Sequence, residues 1–149
     1  MEVEYQRLVG KLAGAWRLLS SEFTNSRGDV FYPLGEDAQG QVIFTQSGYM
    51  SGQLLRKGRP VFSSGNQASG TPEEIKDAFE GFVSYYGPFE LDLGKHKLIT
   101  HVEGSLFPNW VGGDQERFFE LHEDRLILKT TPIAIGNDEF VGVLIWQRK

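Results

Sequence analysis

QVIFTQSGYMSGQLL, residues 41–55, contains two short apolar runs on either side of a polar turn. Val42, Ile43 and Phe44 are residue types that favour extended structure. Gln46-Ser47-Gly48 supplies turn chemistry, because glycine adopts the backbone angles that tight turns need. Tyr49 to Leu55 continues as the partner strand, so this stretch predicts a β-hairpin.

Runs of the same kind recur along most of the chain, separated by many of its 18 glycines. Their spacing predicts roughly nine or ten strands joined as consecutive hairpins. Such a pattern is typical of an all-β fold, either an antiparallel up-and-down β-barrel or a sandwich. A barrel of about eight strands has just enough interior space for one small ligand.

One internal helix interrupts the strands. Thr71-Pro72-Glu73-Glu74 is a capping box, in which the threonine caps the helix and Glu74 reaches back to the Thr71 amide. Ile75, Phe79 and Phe82 follow at helical spacing. The pattern predicts an amphipathic helix that ends near Tyr85–Pro88 and covers one side or end of the barrel. Near the start, Val3–Leu12 predicts only a short helical turn before the first strand.

Composition narrows the function classes. The chain has 149 residues, 40% of them hydrophobic and 23% charged, so we expect a single domain over residues 1–149 with a real core. The net charge is −5 without a basic cluster, so we expect neither a nucleic-acid partner nor a membrane partner.

Cysteine is absent, so disulfides and thiolate metal sites are excluded. His96, His101 and His122 lack the spacing of a zinc site, and no nucleotide-binding loop is present, so we expect no metal and no cofactor. The polar, acidic start has no signal-peptide pattern, and no run approaches the ~18 apolar residues of a membrane span. We therefore expect a cytoplasmic protein.

Gly14-Ala15-Trp16, at the start of the first strand, resembles the Gly-x-Trp signature of lipocalins and their calycin relatives. In that family the tryptophan closes the base of the barrel and a basic residue of the last strand packs over it, a position that Arg148 matches here. The wider pattern is similar to the cytosolic lipocalin-like domain family of bacteria and fungi. It comprises Leu8-Val9-Gly10, Gly14-Ala15-Trp16-Arg17-Leu18, Pro33-Leu34-Gly35, Gly48-Tyr49-Met50-Ser51, Thr71-Pro72-Glu73-Glu74, Val102 to Trp110, and Asp114-Gln115-x-Arg117.

The resemblance covers nearly the whole chain and implies a calycin-type antiparallel barrel. It says less about activity, because lipocalin-like relatives include both carriers and cofactor-free cyclases of natural-product pathways. The choice between a carrier and a cyclase therefore depends on the candidate site residues of this chain.

Arg117 is the sharpest candidate site residue. Gln115, Arg117 and Phe119 alternate with Glu116 and Glu120, whose charges mark the opposite face as solvent. Arg117 is therefore predicted to point inward, where an unpaired charge is costly. Its partner is either a ligand carboxylate or enolate, or a protein carboxylate such as Glu103.

His101, Glu103 and Ser105 share one face of their predicted strand. If that face is interior, an acid–base pair and a hydroxyl line the site. Against this, Leu98, Val102 and Leu106 on the opposite face have the composition of a core face, and the two interpretations stay open.

Two further groups are candidates. Tyr49, Ser51 and Gln53 share one face of a strand, where a tyrosine hydroxyl can act as an acid or oxyanion donor; the alternating Met50/Leu54 face is the competing candidate for the core. Phe107, Asn109 and Trp110 lie in the turn before the Arg117 strand, where they can hold a ligand at the barrel mouth or simply pack over their own hairpin.

Two functions follow, close in rank. The first is a binding protein for a small, mostly apolar, potentially anionic organic molecule, with Ser51, Gln53, Ser105, Phe107, Asn109, Trp110 and Phe119 as ligand contacts and Arg117 as the anchor. The second is a cofactor-independent cyclase or isomerase acting on a polyketide-like or terpenoid-like substrate, with Arg117, His101, Glu103 and Tyr49 as catalytic residues. A barrel filled with side chains is a third reading, and a homodimer is compatible with all three.

Overall fold

The computed structural model describes residues 2–149. Its helices and strands follow in chain order as α1 Glu2–Leu12, β1 Gly14–Thr24, β2 Val30–Phe31, β3 Gln39–Phe44, β4 Tyr49–Leu55, α2 Pro72–Glu80, β5 Phe82–Asp92, β6 Lys97–His101, β7 Gly104–Ser105, β8 Asp114–His122, β9 Arg125–Thr130, β10 Ile133–Ile135 and β11 Asp138–Arg148. A short 3₁₀ turn, Pro108–Trp110, lies between β7 and β8.

Eight antiparallel strands close into a barrel in the order β11-β9-β8-β6-β5-β4-β3-β1, and β1 returns to pair with β11. The short strands β2, β7 and β10 pair with β1, β5 and β11 outside this ring. Strand connections run almost entirely between sequence neighbours, so the all-β, up-and-down barrel with one helix between its middle strands is confirmed. The predicted 41–55 hairpin is β3 paired with β4.

The base of the barrel is sealed by Trp16. This side chain is fully buried, and its Nε1 donates to the Leu12 carbonyl oxygen at 2.9 Å. The Arg148 guanidinium lies 4.2 Å from the centre of the Trp16 ring and donates to the carbonyls of Ala13 and Lys11. The closure predicted for Trp16 and Arg148 is therefore confirmed.

Helix α1 corrects the sequence prediction at this end, because it is a regular helix of 11 residues rather than a short turn. Its Val9 and Leu12 are buried in the core, and tertiary packing of these two side chains extends the helix beyond what its weak apolar pattern indicates. Neither α1 nor α2, the two α-helices found in residues 2–149, has the length and apolar character needed to cross a membrane.

Helix α2 has the predicted capping box, with Thr71 and Glu74 exchanging their side-chain to backbone bonds. It ends earlier than predicted, at Glu80, because the aromatic and β-branched residues from Phe82 onward pair with β4 instead. Ile75 is 52% exposed and Phe79 is 45% exposed. The prediction that this face seals the barrel is therefore wrong.

Strand β1 contains a bulge that changes which side chains face the interior. Leu18 pairs with Trp146 on β11 and Ser20 pairs with Ile145, so Leu19 has no partner of its own. An extra residue of this kind shifts the inward-facing phase of a strand by one position. Trp16 and Leu18 are buried before the bulge, and Ser21 is buried after it.

Candidate functional site

The barrel encloses a cavity of about 190 Å³ on the side of the interior away from the Trp16 base. Its walls come from seven of the eight barrel strands, from β10, from the 3₁₀ turn and from the segment after β2. The lining residues are Ser21, Phe23, Pro33, Leu34, Val42, Met50, Gly52, Leu54, Val83, Tyr85, Trp110, Arg117, Leu128, Thr130, Ile133, Ile135, Leu144 and Trp146.

Most of this wall is apolar. Aliphatic side chains from β3, β4, β9, β10 and β11 line it, together with Phe23, Tyr85, Trp110 and Trp146. An apolar cavity of ~150 Å³ holds a benzene molecule, so 190 Å³ is enough for one ring with a few substituents. The interior is thus neither filled by side chains nor large enough for a long lipid chain.

Arg117 supplies the only full charge in the cavity wall among residues 2–149. Strand β8 places it opposite Leu98 on β6 and Thr130 on β9, and alternation along β8 turns it inward with Phe119. Its residue is 9% exposed. The inward orientation predicted from the alternating glutamates is confirmed.

The guanidinium of Arg117 is held by neutral acceptors. One terminal nitrogen donates to the Glu116 carbonyl oxygen at 2.9 Å, and the other donates to the Gln115 side-chain oxygen at 3.1 Å. Within residues 2–149, Arg117 forms no salt bridge with a carboxylate. Glu103, the protein partner considered from the sequence, is exposed, so this expectation is wrong.

Two further polar atoms of the interior lack hydrogen-bond partners in the described chain. Trp146 lines the cavity and is 2% exposed, and its Nε1 has no acceptor. The Thr100 hydroxyl is completely buried and also unpaired. Thr100 is the cross-strand neighbour of Gln115, so this hydroxyl belongs to the same interior polar region as Arg117. Such orphaned groups are uncommon inside folded proteins.

Trp110 is the member of the predicted mouth group that reaches the cavity wall. It lines the cavity from the 3₁₀ turn, with its ring edge-on to Tyr85 at a centroid distance of 5.5 Å. Phe107 packs edge-on to Trp110 from outside and is 43% exposed, and Asn109 is also exposed. Phe119 is buried in the core beneath the cavity lining. The wall contains none of Phe107, Asn109 and Phe119, which corrects the prediction that these three residues contact the ligand.

Tyr49, Ser51 and Gln53 lie on the outer surface of the barrel. Met50, Gly52 and Leu54 are the buried members of β4, so period-two alternation turns the other face to solvent. Tyr49 is 53% exposed, and Gln53 donates to the Ser51 hydroxyl on that surface. The placement of these three side chains in the cavity is therefore corrected.

His101 also points outward, because Leu98 and Thr100 are the buried residues of β6. Its Nδ1 is 2.7 Å from the Asp114 carboxylate, and its Nε2 is 3.4 Å from the Glu90 carboxylate. The hydrogen bond to Asp114 raises the pKa of His101 above its usual value, and Glu90 adds to this. The imidazole is thus a surface group that ties β6 to β8.

Glu103 and Ser105 complete this correction. The chain bends after His101, so Glu103 is exposed and Ser105 is half-buried in the short strand β7, where its hydroxyl accepts from the Phe107 amide. Neither of them lines the cavity. The acid–base pair expected from the sequence is therefore not assembled in the interior.

Sequence reasoning missed several lining residues. Ser21 could not be predicted because the bulge in β1 changes which side chains face inward. Val83 and Tyr85 were missed because they were assigned to the end of the helix, whereas they belong to β5. Trp146 has the same strand parity as Arg148, which was already expected to face the base, so alternation along β11 was a usable signal for it. No cluster of three or more potential metal ligands occurs in residues 2–149.

A closed eight-stranded antiparallel barrel with an apolar cavity in its interior is a calycin-type architecture. The sequence profile of the lipocalin-like domain matches residues 13–149, and the chain belongs to this family. It is 33% identical over 106 residues to the 4'-hydroxy-3'-methoxypropiophenone carrier protein ppsC of Aspergillus oryzae. That match covers 66% of this chain and 96% of the relative.

Two solved structures are similar to this chain over most of its length. A lipocalin-like protein from Bacteroides uniformis has a TM-score of 0.49 and 15% identity, with 94% of this chain and 100% of that chain covered. The REP1-NXSQ fatty acid transporter has a TM-score of 0.42 and 14% identity, with 94% and 97% covered.

Proposed function

We propose that this protein is a carrier that binds one small, mostly apolar organic molecule inside the barrel, with a hydrogen-bonding group, neutral or anionic, at Arg117. The observation that carries the proposal is the 190 Å³ cavity, whose wall is apolar except for Arg117 and a few hydroxyl and indole groups. Ligand sites of carriers typically combine such an apolar wall with few polar groups.

The size of the cavity limits the ligand to about one ring with short substituents. The Aspergillus oryzae relative is named as a carrier of 4'-hydroxy-3'-methoxypropiophenone, a molecule with one aromatic ring, a ketone, a hydroxyl and a methoxy group. A molecule of this size suits the present cavity. Tyr85, Trp110 and Trp146 provide aromatic surfaces for its ring.

The alternative of a cofactor-independent cyclase or isomerase has less support. Such an enzyme needs a group that moves protons at the substrate. The lining contributed by residues 2–149 contains no aspartate, glutamate or histidine that could act as a base, and Tyr85 is the one tyrosine in it. The residues predicted for catalysis besides Arg117, which are His101, Glu103 and Tyr49, lie outside it. We also propose that residues 1–149 form a single domain and that the protein is cytoplasmic.

Binding of 4'-hydroxy-3'-methoxypropiophenone provides a direct test. Trp110 and Trp146 line the cavity, so we expect saturable, one-to-one quenching of their fluorescence and recovery of the ligand chemically unchanged. Tyr49→Phe on the outer face serves as a control that leaves binding intact, and Gly52→Leu blocks the cavity. Conversion of the ligand would indicate an enzyme, and a lack of binding across a panel of single-ring compounds would refute the carrier.

A further inference from the structure

We infer that the ligand is an organic acid bound in its ionised form, and that Gln115 sets this selectivity by holding the Arg117 guanidinium without neutralising it. The inference rests on the proposed carrier function and names the chemical class of its ligand. It assigns Gln115 a role that the cavity lining alone does not reveal, because Gln115 acts through Arg117.

The first step concerns charge. An arginine side chain stays protonated in proteins, and burying its charge without a counter-charge is costly. Arg117 is 9% exposed, yet both of its hydrogen-bond partners, the Glu116 carbonyl and the Gln115 amide oxygen, are neutral. The barrel therefore keeps an uncompensated positive charge at the cavity wall.

The second step concerns the neighbouring carboxylates, each of which already pairs with a basic side chain on the outer surface. The Glu116 side chain pairs with Lys97 on the outer face at 3.0 Å, and Asp114 pairs with His101 at 2.7 Å. Across the strands, the direct neighbours of Arg117 are the neutral residues Leu98 and Thr130. Within residues 2–149, no carboxylate is placed to supply the missing negative charge, so the ligand is the remaining source.

The third step concerns donor geometry. A guanidinium carries five N–H donors, and two of those on Arg117 are used, one on each terminal nitrogen. The remaining donors suit the two oxygens of a carboxylate, which arginine binds in a bidentate manner. The Gln115 side-chain oxygen accepts a hydrogen bond from Arg117 at 3.1 Å and so fixes the orientation of the guanidinium. The arginine is therefore already oriented for binding before the ligand enters the cavity.

The class of ligand follows from these steps together with the cavity. The 190 Å³ of mostly apolar space holds the body of the ligand, and Arg117 holds its acidic group. A compact aromatic acid such as benzoate has both features, and benzamide is its neutral match in shape. Because hydrogen bonds to charged groups are stronger than those between neutral groups, the affinity for benzoate should exceed that for benzamide by roughly 10- to 100-fold.

The test compares benzoate and benzamide by calorimetric titration of the full chain. We expect the wild type to prefer benzoate roughly 10- to 100-fold. Gln115→Glu places a carboxylate beside Arg117, and we expect it to abolish the preference while benzamide still binds. Glu120→Gln changes an exposed carboxylate on the outer face of the same strand, away from Arg117, and we expect this matched control to retain the preference.

Each outcome decides a separate point. Equal affinities in the wild type would overturn the acid specificity and leave the carrier function standing. A preference that survives Gln115→Glu would overturn the role of Gln115. If that variant does not fold, Arg117→Met replaces it and must remove the preference. Failure of benzoate, benzamide and the wider panel of single-ring compounds would instead refute the carrier function.

Discussion

Gly52 offers a direct way to measure the cavity. It lies on β4, is buried, and forms part of the cavity wall. A Cβ atom added here would meet only ordinary contacts, the closest being Val42 Cγ2 at 3.6 Å and Met50 Cε at 3.7 Å. Gly52→Ala therefore fits without rearrangement, and Gly52→Leu extends the rest of its side chain into the empty space.

The size of the effect follows from the cavity volume. Empty volume costs ~24 cal/mol per Å³, so 190 Å³ sets an upper limit of about 4–5 kcal/mol on the gain from filling. Replacing glycine reduces the freedom of the unfolded chain by about 0.4–1 kcal/mol, and each buried methylene adds about 0.8 kcal/mol. We expect Gly52→Ala to stabilise by about 1–2 kcal/mol. For Gly52→Leu we expect about 3 kcal/mol, because burying the leucine also costs about 0.5–1 kcal/mol of rotamer entropy.

Urea unfolding and calorimetry measure both variants. Gly87→Ala on the adjacent strand β5 is the matched control, because its Cβ would collide with the backbone carbonyl of His101 and the variant should be destabilised. We also expect Gly52→Leu to lose ligand binding. If Gly52→Leu destabilises the protein and Gly52→Ala does not stabilise it, the cavity does not exist as described.

Three further predictions concern other parts of the barrel. Trp16→Phe removes the Nε1 bond to the Leu12 carbonyl and should lower the free energy of unfolding by about 1–3 kcal/mol, and an unchanged value in urea would contradict the sealed base. The hydrogen bond to Asp114 raises the pKa of His101, so this contact stabilises the fold fully below the usual imidazole pKa of ~6.5. The stabilisation is lost as the pH rises through the raised pKa. His101→Gln should therefore flatten the pH dependence of the free energy of unfolding over that range. Thr71→Ala removes the helix cap, which costs α2 about 1 kcal/mol of local stability. Because α2 buries none of its residues, we expect faster hydrogen exchange in α2 and little change in the free energy of unfolding of the whole protein. A large loss of that global stability would show instead that α2 supports the barrel.

Features with a local cause were predictable from the sequence. The 41–55 hairpin and the capping box each depend on a few adjacent residue types, whereas the Trp16–Arg148 closure was implied by the resemblance to lipocalins. Arg117 was also predictable, because glutamates alternate with it along a single regular strand. Along β8 one periodicity extends over the whole strand, so the sequence alone defines which face is buried.

Other features depend on packing that one segment does not encode. Each face of β4 carries two large apolar side chains, Tyr49 and Leu55 on one and Met50 and Leu54 on the other, and the closed barrel buries the Met50 face. The bulge at Leu19 shifts the phase within β1 and brings Ser21 into the wall. Phe82 continues the helical period of α2, but pairing with β4 draws it into β5. These outcomes reflect tertiary contacts overriding local preference.

The pairing of β1 with β11 has a consequence for how the chain assembles. It joins Trp16 to Arg148 and Thr24 to Val141, partners separated by most of the sequence, and every other barrel pairing links strands that are closer along the chain. Such distant contacts carry the largest loop-closure entropy and form late. During synthesis, β1 therefore waits with an unpaired edge until the last strand emerges. That interval is when the chain is most exposed to edge-to-edge aggregation, and when a chaperone would protect it most.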